Sequence, residues 1–183
     1  MEYDYTALTA DPDGYLNWVL GQLGAALSIR TATEAEADWA RAATELVCEH
    51  PDPMIRARLA STCSLRQLRV LVRDEHLAVR LSCVDNPFAI DRDIQVALCS
   101  DHEVEVVRAF LKRFEPCLDA AQVLVDHSRP SIRTRLVSPR RRRELLERLA
   151  NDTDWAVQQL AKDARQHQIA VKAAQLARVH REN

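Results

Sequence analysis

Apolar residues recur along this chain at helical spacing, and they recur in blocks. Five stretches place a β-branched residue before a polar one: Ile55-Arg56, Val79-Arg80, Val107-Arg108, Ile132-Arg133 and Val157-Gln158. An apolar residue follows three or four places on, at Leu59, at Cys83 with Val84, at Phe110 with Leu111, at Leu136 and at Leu160. That spacing lines one face of a helix. The arginines are 24, 28 and 25 residues apart, and Gln158 lies another 25 on. After each of the first four blocks the pattern breaks. A second apolar run then starts behind a residue suited to cap a helix: Ser64, Asp91, Asp119, or Ser138 followed by Pro139. Each block predicts two short helices joined by a turn. Neither helix can bury its apolar face alone, so neighbouring blocks must stack.

An acid stands directly before a histidine four times, at Glu49-His50, Glu75-His76, Asp101-His102 and Asp126-His127, with spacings of 26, 26 and 25. A single pair of this kind would suggest a catalytic or metal site. A mark with this period belongs to the repeat instead. The acid is expected at or just before the first turn of each unit's first helix. There its carboxylate can cap free N–H groups and complement the positive helix end. The histidine is expected as a turn residue.

The flanks depart from the pattern. Residues 1–12 read as an acidic tail. Within 13–48, Leu16, Val19, Leu20, Leu23 and Leu27 share a face, and Thr33 with Glu36 forms a capping-box pattern. This segment predicts a helical hairpin capping the first unit, with helical repeats over 49–163 and a C-terminal helix over 164–183. The helical pattern there is continuous from 153 to 180. Val157, Leu160, Ala164 and Val171 make one stripe, and Ile169, Ala173 and Leu176 a second. Trp18, Trp39 and Trp155 are expected in core or cap packing.

Composition narrows the class. Glycine is scarce, at 3 residues, while alanine, leucine, arginine and glutamate abound, and no run of alternating β-branched residues occurs. The chain therefore reads as all-α. No apolar run reaches the roughly 18 residues of a membrane span. The start lacks the basic and apolar regions of a signal peptide. Five cysteines without a CxxC pair fit reduced thiols and a cytoplasmic location. Cys63, Cys83, Cys99 and Cys117 read as small core residues. His167 and His180 have no acids at ligand spacing, so neither a metal nor another cofactor is expected.

The unit "D/E-H…VR…L", then a break, then a short helix ending in Leu-x-x-Leu, resembles the leucine-rich repeat variant family and HEAT-like repeats generally. The resemblance covers residues 49–163. It implies a right-handed solenoid of about five two-helix units with helical caps, some breaks being 3₁₀, and a binding scaffold as the role. Members of that family can carry an iron–sulfur centre on an N-terminal cysteine cluster. Residues 1–47 contain no cysteine, so no cluster is carried over.

Charge is unevenly distributed behind a net −2. Residues 1–50 hold 9 acids against 2 bases, and residues 51–183 hold 18 acids against 23 bases. The segment Arg129–Arg148 is the most basic, with eight arginines and two glutamates. Its members Arg129, Arg133, Arg135, Arg140, Arg141, Arg142 and Arg143 are candidate contacts for an acidic protein surface or for phosphates. Ser138-Pro139 predicts that Arg140 to Arg143 fill the first turn of a helix, the end that disfavours cations. The repeated Arg56, Arg80, Arg108 and Arg133 either form a row that tracks a nucleic-acid backbone or pair with the acid of their own or the next unit as a structural ladder. The ladder is favoured, because acids recur in step with the arginines. No P-loop, nucleophile elbow or HExxH is present. The expected role is non-catalytic: a protein adaptor or inhibitor meeting an acidic partner, with nucleic-acid binding as the alternative. A third reading, a HEAT-like DNA glycosylase using Trp155 beside Asp152 and Asp154, rests on fold analogy alone.

Overall fold

The computed structural model describes residues 48–138 and 140–182. The acidic tail, the Thr33–Glu36 capping box, Trp18 and Trp39 lie outside the described residues, as does the hairpin over 13–48 apart from its last residue.

Among the described residues all regular structure is helical. In chain order the α-helices are α1 (Pro53–Ala60), α2 (Leu65–Leu71), α3 (Leu77–Cys83), α4 (Arg92–Cys99), α5 (Val104–Arg113), α6 (Leu118–Val125), α7 (Pro130–Arg133), α8 (Arg143–Leu149) and α9 (Trp155–Glu182). Two 3₁₀ turns, Pro87–Ile90 and Thr134–Leu136, sit between α3 and α4 and directly after α7. Packing skips one helix at a time. The odd-numbered α1, α3 and α5 pack in succession, as do the even-numbered α2, α4, α6 and α8. The last of these, α8, also packs on α9.

Local chemistry sets the helix starts. Asp52 accepts the Met54 N–H at 2.8 Å, with Pro53 in the first helical position, where a missing donor costs nothing. Gln67 Oε1 accepts from the Ser64 backbone N–H at 3.0 Å and from its hydroxyl at 2.6 Å, closing the start of α2. Asp91 accepts from the Asp93 and Ile94 N–H groups at α4. Two expected starts move. Cys117, not Asp119, precedes α6, and Asp119 lies inside its first turn, where a carboxylate still complements the helix end. The other, Ser138-Pro139, does not open α8. Residues 140 to 142 form a turn, with Arg141 N–H bonded to Ser138 O at 3.0 Å, and the helix begins at Arg143. Starting there leaves one arginine rather than four in the first turn, and it brings Glu144 into that turn.

The core is apolar and continuous. Leu59, Leu68, Leu98, Phe110, Leu124, Leu136 and Leu146 are fully buried. A buried Asn86 stitches adjacent pairs: its amide donates to Ala60 O at 2.9 Å and Cys63 O at 3.0 Å, satisfying carbonyls at the end of α1. Gln95 does the same one step on, donating to Ile90 O and accepting the Cys117 N–H at 2.7 Å. Cys63, Cys83 and Cys99 are buried as expected, while Cys117 is half-buried. Burial pushes the thiols of Cys63 and Cys99 up to about 12 and raises that of Cys83 as well.

On α9 the apolar stripe differs from expectation. Val157, Ala161 and Ala164 are buried, but Leu160 and Val171 are exposed, and so is Ile169. No residue from 165 to 175 is buried. Trp155, expected in the packing, is 74% exposed at the first position of α9. No helix among the described residues is long and apolar enough to cross a membrane.

Candidate interaction surface

Three of the repeated arginines are buried rungs. Arg56 meets Asp74 with Nε–Oδ2 at 2.7 Å and Nη2–Oδ1 at 2.9 Å. Arg80 meets Asp101 at 2.7 and 3.3 Å, and Arg133 meets Asp152 at 2.6 and 2.7 Å. The remaining end of each guanidinium, Nη1, donates to two carbonyls ahead of its own helix. These belong to His50 and Pro51, to Asp74 and Glu75, and to His127 and Ser128. The rigid five-donor fork makes this possible, and lysine would not reproduce it. Each rung therefore ties the loop before one helix to the start of the next odd-numbered helix. Burial disfavours the Asp74 carboxylate, but the Arg56 guanidinium and the His76 N–H outweigh it and hold its pKa below the usual value. Arg133 holds Asp152 low in the same way. The side chains of Arg80 and Asp101 are 5% and 3% exposed.

Arg108 is not a rung. The rung position is the fourth residue of each odd-numbered helix: Arg56, Arg80, then Val107, then Arg133, then Gln158. Arg108 lies one residue later, exposed, and makes no ion pair among the described residues. Aligning Val107-Arg108 with Ile55-Arg56 is thus one residue out of register. The carboxylate side behaves likewise. Three residues before each odd-numbered helix stand His50, Asp74, Asp101, His127 and Asp152. Every one of them accepts the backbone N–H two residues on, at 2.7 to 3.1 Å. Of the four acids in the acid–histidine marks, only Asp101 occupies this position. Glu75 is solvent-exposed, and Asp126 binds Arg148 in a 2.7 Å pair. His50 and His127 take the carboxylate's place through Nδ1.

The arginine-rich segment divides into bound and free cations. Arg133 is a rung. Arg141 is mostly buried, donating from Nη1 to Pro116 O at 2.7 Å and pairing from Nη2 with Glu115 at 3.3 Å. Arg143 pairs with Glu147 at 2.7 Å along α8. Arg129, Arg135, Arg140 and Arg142 are exposed, and no ion pair engages them among the described residues. Two of these lie on the 140–142 turn. Gln168 on α9 donates to Arg141 O at 2.7 Å and anchors that turn against the last helix. Arg140 faces a groove of about 540 Å³ between turn and helix, and Arg142 faces a smaller one beside α6.

A large concavity of about 950 Å³ lies over α4 and includes Asp74, Arg80, Asp101 and His102. Most of its arginines are matched, with Arg69 on Asp93, Arg92 on Asp119 and Arg80 on Asp101, while Arg73 donates to the Arg69 carbonyl. No group of His, Cys, Asp and Glu among the described residues is placed to hold a metal ion. Comparison of the chain with family models, with curated proteins and with solved structures finds no match.

Proposed function

We propose that this chain is a non-catalytic binding scaffold of the cytoplasm, an adaptor or inhibitor that meets an acidic protein surface. Its helix pairs stack as a right-handed solenoid, in the manner of the leucine-rich repeat variant and HEAT-like families. The regular rungs and the two 3₁₀ turns support that architecture. One observation carries the functional reading: Arg129, Arg135, Arg140 and Arg142 stand exposed and, among the described residues, without ion pairs within one short segment. Elsewhere among those residues Arg56, Arg69, Arg80, Arg92, Arg113 and Arg165 meet acids, while Arg73 and Arg108 stand singly without one. Leaving four unmatched in one place suits recognition of carboxylates.

Nucleic acid is the second reading, because the same four cations suit phosphates. It is weakened by the commitment of Arg56, Arg80 and Arg133 to buried pairs, which removes the row that would follow a backbone. The glycosylase-like reading is weakened further, since Asp152 is held by Arg133.

The test is a pull-down with the wild type and with Arg140→Ala/Arg142→Ala, using Arg108→Ala as control. The expected result is a protein partner retained by the control and lost by the double variant. Full recovery of every partner by the double variant would overturn the reading. Binding to short duplex or single-stranded nucleic acid that collapses between about 50 and 200 mM salt would favour the alternative.

A further inference from the structure

The groove between the 140–142 turn and α9 differs from the groove over α4 in one respect. Its lining includes Arg140, Lys172 and His167, with Ser138, Gln175 and Val171 around them, and no carboxylate. Arg140 and Lys172 are exposed and make no ion pair among the described residues. In the large groove over α4, by contrast, aspartates line the walls and Arg69, Arg80 and Arg92 are paired with them. The walls are fixed to one another, since Gln168 on α9 holds the Arg141 carbonyl on the turn. Arg141 in turn reaches back to Pro116 and Glu115 on the segment between α5 and α6. A basic groove with preset walls favours an anionic guest at a low ordering cost.

The geometry points to this groove as the seat of an extended acidic protein segment, and we propose that such a segment binds there with carboxylates on Arg140 and Lys172. A small apolar side chain between the carboxylates would rest on the exposed Val171. A hydroxyl and an amide, from Ser138 and Gln175, flank the path for backbone groups. The mixture of two cations, one apolar contact and neutral polar groups suits a peptide. A nucleic-acid backbone would call for a longer basic track and stacking rings, and no aromatic side chain lines this groove. This inference rests on the acidic-partner reading above and narrows it to one groove.

The probe is a short fluorescein-labelled glutamate-rich peptide carrying a single leucine, titrated by anisotropy at about 50 mM salt. The variants are Lys172→Glu and Arg140→Glu in the groove, Arg142→Glu outside it and Arg108→Glu as a remote control, each checked for helicity. The expected result is saturable binding, weakened at least about tenfold by either groove variant and unchanged by Arg108→Glu. Wild-type affinity in Lys172→Glu overturns the groove. If Arg142→Glu alone weakens binding, the acidic-partner reading survives and the groove is wrong. Absence of peptide binding, with a pull-down partner still dependent on Arg140 and Arg142, likewise overturns only the groove. Tighter binding of a single-stranded oligonucleotide at the same salt, lost in the same groove variants, overturns the peptide as occupant.

Discussion

Val107 and His127 stand in the two positions that Arg80 and Asp101 hold one step earlier. Val107 is the fourth residue of α5, as Arg80 is of α3. His127 lies three residues before α7, as Asp101 lies three before α5, and both accept the N–H two residues on. The cation and its acid are replaced together. A lone aspartate there would be a partly buried charge without its guanidinium, and a lone arginine would be worse. Histidine keeps the backbone hydrogen bond and drops the charge. Burial, with Arg129 and Arg133 nearby, lowers its pKa and so favours the neutral ring.

The missing rung can be installed. Val107→Arg alone places a guanidinium in the core opposite a histidine, and a loss of about 3 kcal/mol or more is expected. His127→Asp alone gives a milder loss. Together they should recover part of the deficit, with a coupling energy of about 1–3 kcal/mol in urea denaturation of the four proteins of the cycle. Strict additivity would show that the two positions do not face each other as the other rungs do.

The existing rungs should dominate the surface pairs. Asp74→Asn or Asp152→Asn leaves a buried guanidinium half-satisfied, and a loss of about 3–5 kcal/mol is expected. Glu147→Gln breaks the solvent-screened pairs with Arg143 and Arg165 and should cost far less. Chemical denaturation separates the two cases directly. Equal costs would mean that the rungs are as solvent-screened as the surface.

Much of this was legible in the sequence and some of it was not. Two helices per block follow from apolar spacing, and pairing of the repeated arginines with acids of their own or the next unit is expected from the recurrence of acids in step with them; Arg56, Arg80 and Arg133 meet an acid of the next unit, and Arg108 does not. The register of α5 does not follow, because in "VEVVR" only Val107-Arg108 matches the β-branched–polar mark, while the third and fourth helical positions are held by Val106-Val107, where the polar residue has been replaced. Only the helix start at Val104 decides between them. The acid–histidine marks mislead for a related reason. His50 and His127 replace the acid at its own position, His102 follows it, and His76 caps α3. One dipeptide therefore covers three structural roles. The start of α8 was misplaced because a proline after a serine is a strong local signal, while the repulsion of four arginines from a positive helix end is a sum over neighbours.

Stability should fall with acid through the rungs. The folded-state pKa values of Asp74 and Asp152 lie below the unfolded value near 3.8. A group depressed on folding contributes stability that is fully present above its unfolded pKa and is lost as pH falls through the folded one. The aspartates' contribution should therefore hold level from neutral pH to about 5 and decline towards pH 2, beneath an earlier loss that begins near pH 6.5, where the lowered folded pKa of His127 acts in the same direction. The Asp152→Asn variant, already weaker at neutral pH, should show a shallower decline over that window. Parallel curves for variant and wild type would remove this carboxylate from the account.

The thiols offer a test of the core that needs no substitution. Cys63, Cys83 and Cys99 are buried, and their thiolates are disfavoured by burial, so two barriers protect each from an aromatic disulfide reagent. Labelling at pH 8 in the native state should be confined to the half-buried Cys48 and Cys117. The other three should label only at the rate of opening, and faster as denaturant is added. Their order carries further information. Cys63 and Cys83 follow helices joined by the Arg56 rung and the Asn86 stitch, while Cys99 closes α4, held by Gln95. If the rungs make one cooperative block, all three thiols should become reactive with a single rate, read by mass spectrometry of labelled peptides. Release of Cys99 well ahead of the other two would instead place the weakest joint between α3 and α4.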